Sequence, residues 1–527
     1  MSSFIPDTAP FSEEQRAWLN GFFSGLMGIQ PGASAGAMLE AAGISTDAIP
    51  GIAEAEEEED QPWHDSALPI VERMDLAEGK PLERKLMAAM AQLDCGSCGY
   101  ICQSYGEAIA SGEETNLTLC SPGGKETKQM IKQLVKDQQP QAQSGSNGKD
   151  VTATSAWSRK NPFTAKLVES RSLNGEGSAK DTRHVAIDLN GSGLKYEVGD
   201  ALGVCPTNCS ELAVQVIDRI VADSDLAVDT PLGSRKPLLQ ALMEDCCLKD
   251  PSDDLVELLS NRTGCGDAKV ELSRMIEEGV HDGIDVLELL ELAGDAPLTA
   301  TEFIGTLEPL NPRLYSIASS MKQVGAEVHL TVGKVTFDRE GRQRKGVAST
   351  MLADRVTAGE DVRVFVQPNH GGFTTPDDHD TPMIMVGPGT GIAPFVAFLQ
   401  ERDQASAPGS NWLFFGDQHE ATDFLYRDQL TEYVDRGVLD RLDTAFSRDG
   451  DAKVYVQDRM RERAADLWGW LQKGAHFYVC GDASRMANDV HLALLEIIGE
   501  EGKMNMADSE RYVSEMATSG RYVRDVY

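Results

Sequence analysis

Pro382–Pro394 reads PMIMVGPGTGIAP, and this stretch decides the fold of the last third of the chain. A short apolar run, Met383 to Val386, is broken by Gly387, Gly389 and Gly391, and helix-forming residues resume at Ala393. That is the pattern of a buried strand, a tight glycine turn and a helix start. Glycines there let the backbone approach a pyrophosphate, and the helix N-terminus supplies free amides and positive potential. A tight packing turn is the plainer reading of the same glycines. The pattern recurs downstream: WLFFG (412–416) leads to a helix near Phe424, and HFYVCG (476–481) to one near Ala487. Strand and helix in alternation predict a parallel, doubly wound α/β sheet over 379–527.

Upstream the pattern changes. FTAKLVES (163–170) and RHVAIDL (183–189) are β-rich and bounded by Gly and Asn turns. A helical stretch follows from Ser210 to about Leu292, and strands return as RLYSIAS, EVHLTVGKVTF and EDVRVFVQ. This predicts an antiparallel β domain over 161–378 with a helical insert at about 205–300. Two low-complexity breaks, EAEEEED (54–60) and QQPQAQSGSNGKD (138–150), read as solvated linkers. They delimit a small module at 63–137, followed by a flexible linker over 138–160. Residues 1–62 hold the acidic linker and a short helix, with Ser12 and Gln15 as its capping pair.

The 527 residues suggest about three or four domains, and 41% hydrophobic residues are enough for several cores. Net charge is −36. So acidic a chain repels phosphate backbones and anionic lipid, which argues against nucleic acid or a membrane surface as its main partner. No apolar run reaches transmembrane length, and no basic cluster leads the first apolar segment. A cytoplasmic setting is therefore expected. There, clustered cysteines point to metal or redox roles.

Cys95, Cys98, Cys102 and Cys120 are spaced C-x2-C-x3-C-x17-C, with no histidine nearby. Four thiolates, three within eight residues, suit a 4Fe–4S cluster, in which each iron takes one soft sulfur ligand. A zinc site and unligated cysteines are the alternatives. By CGSCGY, YGEAIASGE and CSPGG the module resembles the small 4Fe–4S domain of the B subunit of ion-pumping electron-transport complexes. It has one residue fewer between the second and third cysteines.

Arg313-Leu314-Tyr315-Ser316 places a cation, an aromatic and a hydroxyl side by side. These suit a pyrophosphate, an isoalloxazine face and a ring nitrogen. Thr331-Val332-Gly333 and Gly346-Val347-Ala348-Ser349 follow, the latter opening a helix. In the α/β part, Ser447, Arg448, Lys453, Tyr455 and Gln457 fall within SRDGDAKVYVQ. Two cations in an acidic chain suit the 2′-phosphate of NADPH, with Tyr455 able to stack on adenine. An ordinary surface strand with solvated charges is the alternative.

With these motifs the chain resembles the ferredoxin–NADP reductase superfamily and, within it, the sulfite reductase (NADPH) flavoprotein alpha subunits, over about 196–527. The resemblance implies an α-rich 4Fe–4S module, an antiparallel β-barrel that binds FAD, and an NADP-binding domain. FAD would be lined by Arg313 to Ser316, Thr331 to Gly333 and Gly346 to Ser349. NADPH would be held by Gly387, Gly389, Thr390, Gly391, Ser447, Arg448, Lys453, Tyr455, Gln457 and Asp489. Tyr527 would stack on the flavin, with Ser316, Cys480 and Asp525 around the transferred hydride. Phe337 stands where these flavoproteins often have tyrosine.

Nicotinamide gives electrons in pairs and a cluster takes them singly, so a flavin must stand between them. No βαβ series occupies the first 150 residues, so no FMN is expected and the cluster module would be the one-electron outlet. The implied partner is the sirohaem 4Fe–4S subunit of an assimilatory sulfite reductase, reducing sulfite to sulfide for cysteine biosynthesis. A reductase for nitrate or nitrite reductase, or for another acceptor, is one rival, and a non-catalytic docking adaptor another.

Overall fold

The computed structural model describes Trp63, residues 68–92, 98–112, 114, 116–120 and 122–137, and residues 157–527 except 282, 370 and 484. The helix expected from Ser12, both low-complexity linkers and Cys95 lie outside the described residues. Pro62–Tyr527 forms one compact unit.

The β domain starts with β1 (Phe163–Ser172), β2 (Thr182–Asp188) and β3 (Ala201–Cys205), then a small hairpin of β4 (Ala227–Asp229) and β5 (Arg235–Pro237). It continues with β6 (Arg313–Ser316), β7 (Glu327–Gly333), a hairpin of β8 (Thr336–Arg339) and β9 (Arg342–Lys345), and β10 (Asp361–Gln367). Six of these make an antiparallel sheet in the order β6-β3-β10-β1-β2-β7. Its edges meet through an antiparallel bridge between Ile317 and Leu330, so the sheet closes on itself around Leu167, Val185, Leu202, Val328, Leu330 and Val364. Gly203 on β3 faces Phe365 on β10, and a Cβ there would sit 2.2 Å from the phenyl ring. Only glycine leaves room for that ring, whose burial contributes about 1.5–3 kcal/mol.

Between β3 and β6 the chain forms six helices, from Ser210–Ile220 to Ala300–Gly305, around a core of their own. Ser252, Asp285 and Thr299 cap three of them through their side-chain oxygens. Such caps contribute about 1 kcal/mol each. Arg342 and Arg344 on β9 pair with Asp285, so a cap residue also ties the insert to the barrel.

The last third is a five-stranded parallel sheet of β11 (Met383–Val386), β12 (Asn411–Asp417), β13 (Arg441–Phe446), β14 (His476–Gly481) and β15 (Tyr522–Val526). Its order is β13-β12-β11-β14-β15, so the chain reverses direction across the sheet between β11 and β14. Every residue of β11 is buried, as a strand covered on both faces requires. Doubly wound sheets bind ligands at the carboxyl ends of their strands beside such a reversal.

The cysteine module has helices Ile70–Leu76, Leu82–Ala89, Cys102–Ala110 and Gly124–Asp137. Trp63, Leu86, Tyr105, Ile109 and Ile131 form its core. Gly106 lets two of the helices cross closely, since a Cβ would lie 2.6 Å from the Glu83 carbonyl oxygen. The end of the expected linker departs from the sequence reading. Trp157 packs on Phe163, and its indole donates to the Ser192 carbonyl, so residues 157–160 join the barrel rather than hanging free. Among the described residues no helix is long and apolar enough to cross a membrane.

Candidate functional site

A cleft of about 1260 Å³ lies between the β-barrel and the parallel sheet. Its lining includes Leu314, Tyr315 and Ser316 of β6, Thr331 and Gly333 of β7, and Gly389 and Thr390 of the glycine turn. Asp525, Val526 and Tyr527 complete it from the C-terminal strand. The strand ladder explains this meeting, because Cys480 and Asp525 are register partners on β14 and β15 at the carboxyl edge.

Asp525 joins two of the other expected site residues. Its Oδ2 accepts from Ser316 Oγ at 2.7 Å and from Cys480 Sγ at 3.7 Å. Burial pushes the Cys480 thiol well up from its usual range, and the neighbouring Asp525 charge pushes the same way. The sulfur is therefore a neutral S–H donor, not a thiolate. Tyr527 pairs its hydroxyl with Thr390 Oγ1 at 2.8 Å, which fixes the final ring over the glycine turn.

That turn is tightly packed. A Cβ on Gly391 would lie 2.1 Å from the Cys480 carbonyl oxygen, and one on Gly387 would lie 2.5 Å from the Gly391 carbonyl oxygen. The backbone is folded so closely that a side chain at either position would strike a carbonyl oxygen, so both must be glycine. Lys180, reaching over from the barrel, stands 4.0 Å from where a Gly389 Cβ would be, and pairs with Asp417 at the end of β12. Burial raises the Asp417 carboxyl while Lys180 pulls it down, and its Oδ2 has no hydrogen-bond partner.

Six other expected NADP residues, Ser447, Arg448, Lys453, Tyr455, Gln457 and Asp489, form a separate group on the same carboxyl edge. Ser447 and Arg448 donate backbone N–H groups to the carbonyls of Asp417 and Gln418, holding the loop against the end of β12. The Arg448, Lys453 and Tyr455 side chains are exposed. Tyr455 precedes helix Val456–Glu462, so the segment starts a helix instead of a surface strand. Gln457 Nε2 donates to Asp489 Oδ2 at 3.3 Å, joining two residues thirty-two apart. None of the six lines the cleft itself.

The flavin candidates split likewise. Val332 is buried in the barrel core, as alternation along β7 requires when Thr331 and Gly333 face the cleft. Gly346 caps a short helix, Val347–Thr350, which continues as a wider turn to Arg355. Ser349 Oγ accepts from the Val335 N–H at 3.2 Å, so the Gly346–Ser349 segment buttresses a cleft-lining residue without lining the cleft. Phe337 is half exposed on the β8–β9 hairpin.

In the module, Cys98, Cys102 and Cys120 are buried in one apolar core. Tyr105 stands among them: its hydroxyl donates to the Asn116 carbonyl at 2.7 Å and accepts from the Leu119 N–H at 3.2 Å. Burial pushes its phenol up, and the Cys98 and Cys120 charges add to that. Thiols buried in an apolar core are soft donors of the kind an iron–sulfur cluster takes. No group of three or more potential metal ligands converges among the described residues, and Cys95 lies outside them.

Sequence reasoning missed several residues here. Lys180 and Asp417 are one pair, 237 residues apart. His184 of β2 meets the Tyr426 hydroxyl at 3.1 Å, and that hydroxyl meets Thr331 Oγ1 at 2.7 Å, linking barrel to parallel sheet. Gln92 and Ile101 of the module line the cleft too. Lys180 carried a signal, a cation just before a strand in an acidic chain; the others carried none.

Comparison with known proteins agrees with this geometry. Residues 155–237 and 277–351 match the family described as FAD binding domain, the gap falling within the helical insert. Residues 385–492 match the oxidoreductase NAD-binding domain. The chain is 46% identical over 380 residues to the sulfite reductase [NADPH] flavoprotein alpha-component of Bacillus subtilis (strain 168), covering 71% of this chain and 63% of that protein. It is 45% identical over 377 residues to the alpha-component of Mannheimia succiniciproducens, covering 70% and 62%. With that of Vibrio parahaemolyticus it shares 44% over 382 residues, covering 72% and 61%. The chain thus spans about three fifths of the length of the curated relatives it matches. Two parts of the chain thus match flavin-binding and nicotinamide-binding domain families, and about seven tenths of its length is similar to the sulfite reductase flavoprotein alpha-components.

Proposed function

We propose that the chain is the NADPH-oxidising flavoprotein of an assimilatory sulfite reductase, delivering electrons through FAD and a 4Fe–4S cluster to a haem subunit. The observation that carries the reading is the meeting of Ser316 and Asp525, from β6 and β15, in the lining of one cleft, with Cys480 of β14 buried behind Asp525. When bound, NADPH supplies an electron pair as hydride, the flavin divides the pair, and a cluster passes electrons singly.

The chain's own residues do the rest. Thr331 and Gly333 offer polar backbone and a hydroxyl to the flavin, and Tyr315 offers an aromatic face. Gly387 to Gly391 leave space for the nicotinamide nucleotide's pyrophosphate. Arg448 and Lys453 provide exposed charge for the 2′-phosphate, Ser447 a hydroxyl, and Tyr455 a ring for the adenine. Asp525 orients the Ser316 hydroxyl and the Cys480 thiol. The thiol, kept neutral, adds no negative charge beside the transferred hydride. Tyr527 covers the cleft from its anchor on Thr390 and moves aside for the nicotinamide ring. Cys95, Cys98, Cys102 and Cys120 supply four sulfurs for the cluster. The acidic surface suits a partner with a basic patch.

Protein prepared without oxygen tests this. Iron and sulfide should each approach about four per chain. NADPH should bleach both flavin and cluster absorption, and the protein should copurify with a sirohaem subunit. Stoichiometric zinc with no iron sinks the cluster assignment, and flavin that NADPH does not bleach sinks the reductase.

A further inference from the structure

Arg159 lies just before β1, across residues 138–156 from the cysteine module. Its guanidinium holds both parts of the molecule. Nη1 donates to the Cys98 carbonyl at 3.1 Å, and Nη2 donates to Asn311 Oδ1 at 2.7 Å. The same group lies over the Tyr100 ring, 3.7 Å from its centroid. A planar fork can donate in two directions and stack at once; an ammonium cannot.

The neighbouring surfaces fit around this clamp. Gly99 has φ +77°, and a Cβ there would lie 3.0 Å from Arg159 Nη1 and 3.1 Å from the Pro312 carbonyl oxygen. A second tie stands apart from the first. Asn116 Nδ2 donates to Glu308 Oε2, while its Oδ1 accepts from Thr118. Asn311 and Pro312 run straight into β6, and Ile101, three residues after Cys98, lines the cleft beside Leu314, Tyr315 and Ser316. The cysteine loop is thus fastened at the edge of the flavin site.

We propose that Arg159 is a positioning residue that clamps the cysteine loop against the strand entering the flavin site, so that electrons pass from flavin to module in this docked arrangement. The proposal rests on the reading of the module as a one-electron carrier. Over a turnover, NADPH and two oxidised one-electron acceptors become NADP+, a proton and two reduced acceptors. The clamp adds no reactant to that balance.

The test uses full-length holoprotein with Arg159→Ala, Arg159→Lys and Asn116→Asp. Asn116→Asp keeps the acceptor for Thr118 and sets a carboxylate against Glu308, so it loosens docking even if Arg159→Ala fails to fold. Hydrogen exchange over 100–110 and 311–316 reads docking without reference to activity. Rapid mixing with NADPH under anaerobic conditions, with ferricyanide as a separate flavin acceptor, reads the flavin and cluster phases apart. Losing a charge-assisted hydrogen bond should lower the docking equilibrium constant by roughly tenfold or more. Exchange should rise in both segments by about that factor and the cluster phase should slow, while the flavin phase and ferricyanide rate hold. Arg159→Lys should recover only part of the loss. Unaltered exchange in Arg159→Ala and Asn116→Asp overturns the clamp. Raised exchange with an unaltered cluster phase overturns its role in electron passage. Protein without iron overturns the module reading instead, a distinct failure.

Discussion

Asp525 gathers a hydroxyl and a thiol on one carboxylate oxygen, and a single atom change tests what its charge does. In Asp525→Asn an amide oxygen still accepts from Ser316, but the negative charge beside Cys480 is gone. Hydrogen bonds to charged groups are worth about 1.5–3 kcal/mol, so NADPH-driven flavin reduction should fall roughly 10–100-fold. Bound FAD and the NADPH dissociation constant should hold. Stopped-flow reduction of the variant decides the matter: a wild-type rate removes Asp525 from the reaction. Cys480 should meanwhile become easier to ionise, since one of the pressures raising its thiol is lifted. Burial, the larger cause, remains.

Among the elements, β2 and β7 carry a link that makes the barrel and the parallel sheet sensitive to acid. Burial pulls His184 down to about 3, with the nearby positive charge of His329 and Arg171 adding to the effect. Free histidine titrates at about 6.5, so the folded chain binds fewer protons than the unfolded chain between those values. Stability from this group is complete above about pH 6.5 and is lost as pH falls toward 3, at up to about 1.4 kcal/mol per pH unit. Thermal melts at pH 7 and pH 5 should separate more in the wild type than in His184→Gln. Equal separations would falsify the assignment.

The same elements show what was legible beforehand. Glu327–Gly333 and Met383–Val386 stand out as β-rich runs, and both are strands of the two main sheets. Ala201–Cys205 was missed because ALGVC is short and broken by the glycine that Phe365 requires. Arg441–Phe446 and Tyr522–Val526 were missed because each is an edge strand interrupted by charged residues. The motifs around Arg313, Gly387 and Ser447 were readable because each concentrates its chemistry in a few consecutive residues. Lys180 with Asp417, and Arg159 with Cys98, were not, since only folding brings together residues so far apart.

For the molecule as a whole, residues 163–526 contain both sheets and line most of the cleft. Deleting residues 1–137 should therefore leave NADPH-to-ferricyanide activity nearly intact and abolish reduction of a haem subunit and of sulfite. Assay of the truncated protein with each acceptor checks this. Sulfite reduction that survives the deletion means the flavin serves the acceptor directly. The outcome bears also on ancestry and engineering. The module's berth is written into its host, in Arg159, Glu308 and Asn311, as much as into the module. A chimera that grafts residues 63–137 onto another reductase would import the donor cysteines without their seat. Transplanting those three host residues along with the module is the smallest unit that could travel between proteins.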